Sequence, residues 1–406
     1  MRIKKVFNRI CFSTVIVSAL LVGGHSVSAI SNVESENTYF EVKEETVSEL
    51  TLKLAKDVKP DINTSISDVT KLYDKNNSAI GFIVSYKVGE KPYGYAVYDF
   101  RVPGYLMEFS IDENVGDIID KTVEMAESNG IEVETKVENK DVKVVEIEPL
   151  KYSVEVNNDV TITSENEVMT TDQEVAEMEE KSKDIVVTND EFVTDDELDE
   201  LSSTSSKYDN HDKVLLRKIA NGLTNLEFNM WRQFIPSIES QVESQTGIWG
   251  CAVSALDILA KGTNLEQNTK ISYPKLWKYA GTTQYKVENG IKYGTTNNTK
   301  IGNGFTQFAK EKKKNITHQN ISNPSFNQFK SAIDNKKPAI LAYGIWNAKE
   351  KARSGHAVAV EGYFASKQAN YLVVADGWYA AAKYINYIPG NFLDTYGIIW
   401  SGINTI

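Results

Sequence analysis

The run Gln245-Thr246-Gly247-Ile248-Trp249-Gly250-Cys251, continuing as Ala252-Val253-Ser254-Ala255-Leu256-Asp257-Ile258-Leu259-Ala260, decides how the second half of this chain reads. Gly247 and Gly250 allow tight turns just before the cysteine. The ten residues from Cys251 to Ala260 are apolar nearly all round, which predicts a central, buried helix that starts at the cysteine itself. Lys261-Gly262 can close that helix. A thiol at a helix N-terminus feels the positive end of the dipole, and its thiolate is favoured there. Cys251 is the only cysteine outside the first 30 residues. It is either an inert buried side chain or a reactive group, and position alone does not choose between them.

Working outward, three residues favour the reactive reading. His356 opens the strand-like run Ala357-Val358-Ala359-Val360-Glu361-Gly362-Tyr363, directly after Gly355. The other histidines compete poorly: His25 lies in the leader, and His211 and His318 sit in polar, loop-like settings. His356 is therefore the candidate general base. Asp376 ends the next apolar run, Tyr371-Leu372-Val373-Val374-Ala375, and could accept the second imidazole N–H. It could also be an ordinary Asp-Gly turn. Gln245 could lend a side-chain N–H to an oxyanion beside the Cys251 backbone N–H; taken alone it reads as a surface glutamine.

The leader and the charge distribution bound the rest. Arg2, Lys4, Lys5 and Arg9 precede the apolar stretch Ile10 to Gly23, and Val27-Ser28-Ala29 is a small-residue cleavage site. Residues 1–29 thus read as a secretory signal, the stretch being short for a bilayer span. Secretion without a disulfide is the expectation, a combination common in Gram-positive bacteria. Residues 1–202 carry a formal net charge of −22 and residues 203–406 one of +10. Opposite halves attract. An acidic pro-region over a basic catalytic domain is the sharper reading of that split.

Along the chain, residues 30–159 read as a small α+β domain. Val47, Leu50, Leu54 and Val58 recur at helical spacing, and three strand-like runs follow, Gly81 to Val88, Tyr93 to Phe100 and Tyr105 to Ile111. Strand-like alternation recurs in Glu132 to Val137 and Val142 to Ile147. Residues 160–206 are dense in Asp and Glu and read as an acidic, protease-accessible linker. Their carboxylates lack the pattern of a Ca²⁺ loop. Residues 207–406 form the second domain, with helices over Val214 to Leu226, Cys251 to Ala260, Tyr273 to Ala280, Gly304 to Lys313 and Phe326 to Asp334. Strands follow over Ala339 to Ile345, Ala357 to Tyr363, Tyr371 to Ala375, Tyr384 to Tyr387 and Gly397 to Trp400. Helices first and strands later is an α+β order.

Gln-x5-Cys at a helix start, Gly-His-Ala-Val-Ala-Val-x-Gly-Tyr, and a strand ending in Asp-Gly-Trp resemble the papain-like cysteine peptidases. The resemblance covers roughly residues 230–400. It implies a papain-like fold, a helical lobe plus an antiparallel sheet lobe, with Cys251 as nucleophile, His356 as base and Gln245 as oxyanion residue. Asp376 stands where papain has Asn, as in the bacterial relatives that process double-glycine leaders. The organisation of leader, acidic pro-region and catalytic domain resembles a streptopain-like zymogen. Two departures bear on substrate choice: Ala252 follows the cysteine, and 20 residues separate His356 from Asp376.

The expected activity is hydrolysis of a protein or peptide substrate, with the pro-domain as intramolecular inhibitor. No metal or organic cofactor is expected, since no residues have ligand spacing. Neither nucleic acid nor, after signal cleavage, a membrane is an expected partner. The basic half also suits an anionic cell wall, so a cell-wall amidase or endopeptidase, or a transglutaminase-like acyl transferase, is the rival on the same fold. A secreted adhesin or antigen with a vestigial site is the non-enzymatic rival.

Overall fold

The computed structural model describes residues 51–170 and 227–406, apart from short breaks at 53, 57, 100, 103–105, 135–136, 138–141, 164–167, 289–290, 348–351 and 366–368. The leader, most of the acidic segment and the expected helix over Val214 to Leu226 lie outside these residues.

The first half is a meander with one helix. Strands β1 (Ser65–Tyr73), β2 (Ala79–Val88), β3 (Lys91–Asp99) and β4 (Leu106–Ser110) are followed by helix α1 (Ile118–Ser128), then β5 (Val144–Glu148), β6 (Lys151–Asn157), β7 (Val160–Thr163) and β8 (Val168–Thr170). The runs expected from Gly81, Tyr93 and Tyr105 are β2, β3 and β4, paired antiparallel. β2 is buried over Ile80 to Tyr86, so both faces are covered and its sequence runs apolar rather than alternating.

Two expectations are corrected here. Residues 131–134 are irregular and Val137 is helical, so the described residues between Glu132 and Val137 form no strand. The segment expected as linker from residue 160 begins with β7 and β8, which pair with each other, while β7 also pairs with β6. Val160 and Ile162 pack with Ala126 and Val156, and that apolar contact outweighs the polar composition around them.

The second half runs β9 (Glu227–Met230), α2 (Glu239–Thr246), β10 (Ile248–Trp249), α3 (Cys251–Gly262), α4 (Thr269–Tyr279), β11 (Thr283–Glu288), β12 (Ile291–Thr295), α5 (Asn298–Glu311), β13 (Thr317–Ser322), α6 (Phe326–Asp334), β14 (Ala339–Asn347), β15 (Ala352–Ala365), β16 (Asn370–Ala375), β17 (Lys383–Asn386) and β18 (Leu393–Ser401). The whole is mixed α and β with a large, chiefly antiparallel sheet, compatible with an α+β class.

That sheet crosses the expected domain boundary. Its order is β13-β18-β14-β15-β16-β17-β4-β3-β2-β1-β5-β6-β7-β8, with β9 also on β15. β17 pairs antiparallel with β4, Tyr384 opposite Phe109 and Ile385 opposite Glu108. Aromatic packing covers the seam. Phe109 stacks on Tyr384 with ring centroids 4.4 Å apart, and Phe364 and Tyr371 join the same apolar cluster. Tyr371 Oη and Asn386 Nδ2 both donate to the carbonyl of Leu106. The two halves therefore share hydrogen bonds and core, not only opposite charge.

Helix α3 is the axis of the second half. Every residue from Ala252 to Ala260 is buried. Its one buried carboxylate, Asp257, accepts from Thr269 Oγ1 at 2.9 Å and from Ser272 Oγ, and pairs with Lys261 Nζ at 2.8 Å. This ties α3 to α4. At the helix end Gly262 lies under Trp231, where a Cβ would come within 2.3 Å of the ring, so no larger residue fits.

Candidate active site

The turn before Cys251 is built from both sides. α2 ends at Gly247, whose φ of 68° and ψ of 16° lie in the left-handed region that glycine enters without strain. The chain then reverses into β10, which pairs in parallel with β12, Ile248 opposite Lys292 and Trp249 opposite Tyr293. The Trp249 and Tyr293 rings lie 4.7 Å apart. Gly250 is the N-cap of α3 and offers no side-chain cap. By contrast α1, α4 and α5 are capped by Asp117, Asn268 and Asn297. The first N–H groups of α3 thus stand beside the thiol rather than under a cap.

Cys251 is half-buried, and its Sγ donates to the carbonyl oxygen of Gly355 at 3.6 Å. That carbonyl belongs to the peptide leading into His356, so the sulfur at the start of α3 lies against the His356 strand, β15. His356 is buried. Its ring stacks on Trp378, with centroids 4.4 Å apart and planes 17° from parallel. Tyr343, opposite it in the β14–β15 register, meets the ring edge-on at 5.8 Å.

Nε2 of His356 lies 3.0 Å from the backbone oxygen of Asp376. A carbonyl only accepts, so Nε2 carries the proton and Nδ1 of the neutral ring is left as the base. Asp376 does adjoin the histidine, through its main chain. Its carboxylate does something else: Oδ1 accepts from Trp378 N at 2.9 Å and Tyr379 N at 3.3 Å, shaping the turn that lays Trp378 on the imidazole. Sequence reasoning named the residue and missed the atom, because an Asp-Gly-Trp string does not say which of its oxygens faces the neighbouring strand. Gln245 lies exposed in the last turn of α2, six residues before the cysteine.

Four further residues bear on the site and left no signal in the sequence. Lys383 is buried at the start of β17, its Nζ 3.3 Å from Glu108 Oε2 and 3.8 Å from Asp376 Oδ2. Glu108 comes from β4 and is also held by Tyr95 Oη at 2.9 Å. One ammonium thus lies between a carboxylate from each half. Burial raises the pKa of both carboxyls, and Lys383 opposes the rise. Lys121 of α1 places its Nζ 3.1 Å from the centre of the Tyr379 ring, and burial pulls its ammonium down to about 8. Tyr273 touches the turn before the cysteine and is taken up below.

Burial, reinforced by the Lys383 charge, pushes His356 down to about 4 from 6.5, against the Asp376 carbonyl that favours the charged ring. The imidazole is neutral at pH 7. A folded pKa below the unfolded one means that its stability contribution is complete above about pH 6.5 and is lost as pH falls toward about 4. The raised carboxyls of Asp376 and Glu108 act with the opposite sign. A difference measurement isolates the histidine. Wild type is expected to lose about 3 kcal/mol relative to His356→Gln between pH 7 and pH 4, read by urea unfolding at each pH. Parallel curves for the two proteins would show that His356 is not buried as described.

Among the described residues no group of three or more His, Cys, Asp or Glu is placed to hold a metal ion, and no helix is long and apolar enough to cross a membrane. What the arrangement can do chemically is acyl transfer. It sets a thiol at an uncapped helix start against the strand that carries an imidazole whose Nε2 is engaged by the Asp376 carbonyl.

The thiol and the histidine both lie in the part of the chain that matches a protein-family model. Residues 235–403, from just before α2 to just past β18, match the model of the Peptidase_C39 like family, and this stretch is supported as a papain-like cysteine peptidase of that type. No curated protein matches the chain.

Proposed function

We propose that the protein is a secreted cysteine peptidase made as a zymogen, with Cys251, His356, Asp376 and Gln245 as its working residues. The observation that carries this is the thiol of Cys251, at an uncapped helix start, bonded to the carbonyl that precedes His356. In the proposed cycle the Sγ proton passes to His356 Nδ1 and the sulfur attacks a peptide carbonyl carbon. The oxyanion is met by the Cys251 N–H and, after side-chain rotation, by Gln245. His356 returns the proton to the leaving amine, and the thioester remains on Cys251. The same imidazole then takes a proton from water, whose oxygen attacks the thioester and frees the acid. Asp376 fixes the imidazole tautomer through its carbonyl and the Trp378 turn through its carboxylate.

The zymogen part of the reading rests on how the first half grips the segment between Asp376 and Lys383. β4 pairs with β17, Ser110 Oγ donates to the Ala382 carbonyl at 2.7 Å, and Lys121 covers Tyr379. This grip keeps His356 dry and its imidazole a weak base. Cutting between residues 171 and 226, then loosening the seam, would admit water and raise the histidine pKa toward its ordinary value. Leader, acidic pro-region and catalytic half fit a streptopain-like order of domains.

The test uses the chain before and after limited proteolysis, with casein and purified peptidoglycan as substrates. Peptides released from casein by the processed chain alone are expected. Release from peptidoglycan instead would move the assignment to a wall amidase, and equal activity of the uncut chain would remove the zymogen.

For Asp376 the expectation is graded. Asp376→Asn keeps an oxygen for the Trp378 and Tyr379 N–H groups and leaves the backbone carbonyl untouched. Its kcat/KM is expected to fall less than tenfold. Asp376→Ala frees the turn and the stacked Trp378, and a loss of 100-fold or more is expected. Equal values for both variants and wild type would make Asp376 a bystander.

A further inference from the structure

The residue before the nucleophile is held by a side chain from another helix. Tyr273, in α4, is fully buried. Its hydroxyl oxygen accepts from Gly250 N at 2.9 Å and donates to Gly250 O at 3.1 Å. Ser254 Oγ lies 3.3 Å away. A hydroxyl has one proton and two lone pairs. With the proton on the Gly250 carbonyl, the lone pairs take the Gly250 N–H and the Ser254 hydroxyl.

The two Gly250 contacts act on different peptide groups. The N–H belongs to the peptide between Trp249 and Gly250. The carbonyl belongs to the peptide between Gly250 and Cys251, which also carries the Cys251 N–H. In a planar trans peptide the N–H points opposite to the C=O. Fixing the Gly250 carbonyl therefore fixes the direction of the Cys251 N–H. The same carbonyl also accepts from Val253 N at 3.0 Å and Ser254 N at 2.9 Å, so that direction is set by helix and hydroxyl together. Trp277, one turn along α4, backs the same turn: a Cβ on Gly250 would lie 3.6 Å from its ring.

We propose that Tyr273 is a positioning residue of this site. Its hydroxyl clamps both polar groups of Gly250, just ahead of α3, and aims the Cys251 N–H at the oxyanion. The proposal rests on the reading of Cys251 as nucleophile. It separates two properties of the thiol. Alkylation by iodoacetamide displaces iodide at a saturated carbon and builds no oxyanion. Addition to an aldehyde gives a hemithioacetal, whose oxygen occupies the oxyanion position. Tyr273 should matter to the second reaction and not to the first.

The experiment uses the full chain after cutting between residues 171 and 226, the state proposed to be active, with acetyl-phenylalanylglycinal as the aldehyde. Its Kd is read as protection of Cys251 from iodoacetamide, so no turnover is needed. For Tyr273→Phe the alkylation rate without aldehyde is expected within twofold of wild type, and the aldehyde Kd 10- to 100-fold weaker, since a misaimed oxyanion donor loses part of the 10²- to 10³-fold that its removal costs. Casein hydrolysis by the processed chain is expected to lose kcat by a similar factor with KM within threefold. Ser254→Ala removes the third contact and spares Gly250; its Kd is expected within twofold of wild type. Tyr273→4-aminophenylalanine keeps a donor and acceptor on the ring and is expected to recover the affinity to within about threefold, which separates aim from folding. An unchanged Kd in Tyr273→Phe, or aldehyde affinity and alkylation rate falling together in both the Phe and Ala variants, would overturn the proposal. A wild-type thiol that neither alkylates nor takes the aldehyde would remove the nucleophile assignment itself.

Discussion

Cys251→Ala is expected to lower kcat/KM on casein by roughly five to six orders of magnitude, the scale seen when a nucleophile of a coupled set is removed. The fold should survive. The side chain is half-buried, its hydrogen bond is a long sulfur contact to Gly355, and Ala is a better helix former than Cys. Loss of one sulfur from the edge of the core leaves a small cavity, so the urea midpoint is expected within about 1 kcal/mol of wild type. Wild-type Cys251 should alkylate faster after processing than before, because the dry histidine of the joined halves is a poor base. Full activity in the alanine variant would end the peptidase mechanism. Loss of activity with loss of fold would be answered by Cys251→Ser, which keeps the volume and lacks the reactive thiolate.

Lys383→Met is expected to destabilise the intact chain by about 3–5 kcal/mol, the cost of stripping a partner from a buried charge. Two carboxylates lose their shared cation at once, Glu108 from the first half and Asp376 from the second. Adding Glu108→Gln should restore more than half of the loss, since the amide needs no counter-charge and can still meet Tyr95. If the double variant is no better than the single, the pair is not the reason. The same seam predicts how the halves stay together. Charge alone, −22 against +10, says that salt should part them. The structure holds them by a strand ladder, stacked aromatic rings and an ion pair shielded from solvent. A chain nicked between residues 171 and 226 should therefore elute as one species from 50 mM to 1 M NaCl, where the screening length is about 3 Å. Separation at high salt would return the seam to surface electrostatics.

The strong periodic segments were legible. α6 spans Phe326–Asp334 as read from its spacing, and α3 starts at Cys251 as its apolar run indicates. β2, β3, β4, β14 and β16 fall within a few residues of their apolar runs. These segments carry their own burial pattern, so period and length decide them. The β11–β12 hairpin was missed although Asn289-Gly290 stands between its strands, the usual hairpin dipeptide. Tyr285 and Val287, then Ile291 and Tyr293, do alternate with polar residues, but Tyr285 and Val287 stay exposed, so this hairpin is not marked by core burial as the apolar runs are. β13, Thr317–Ser322, was missed for the same reason: its ladder to β18 is a main-chain matter that its polar side chains do not advertise.

What the sequence by itself determined was local: which residue types could do thiol chemistry, and which runs must be helix or strand to bury themselves. The pairing of Cys251 with the His356 strand was inferable because only one cysteine and one buried-strand histidine were available. Only the tertiary structure decided which atoms meet. The Asp376 carbonyl rather than its carboxylate reaches the imidazole, because strand register sets what faces what and a run of letters holds no register. The seam between the halves is likewise nonlocal. Glu108 and Lys383 are 275 positions apart, each reads alone as a solvated charge, and only the β4–β17 ladder takes both out of water. Tyr273 shows the same limit at short range: nothing in its neighbours says that its hydroxyl will hold the glycine before another segment's helix, because a contact made through space leaves no spacing to read.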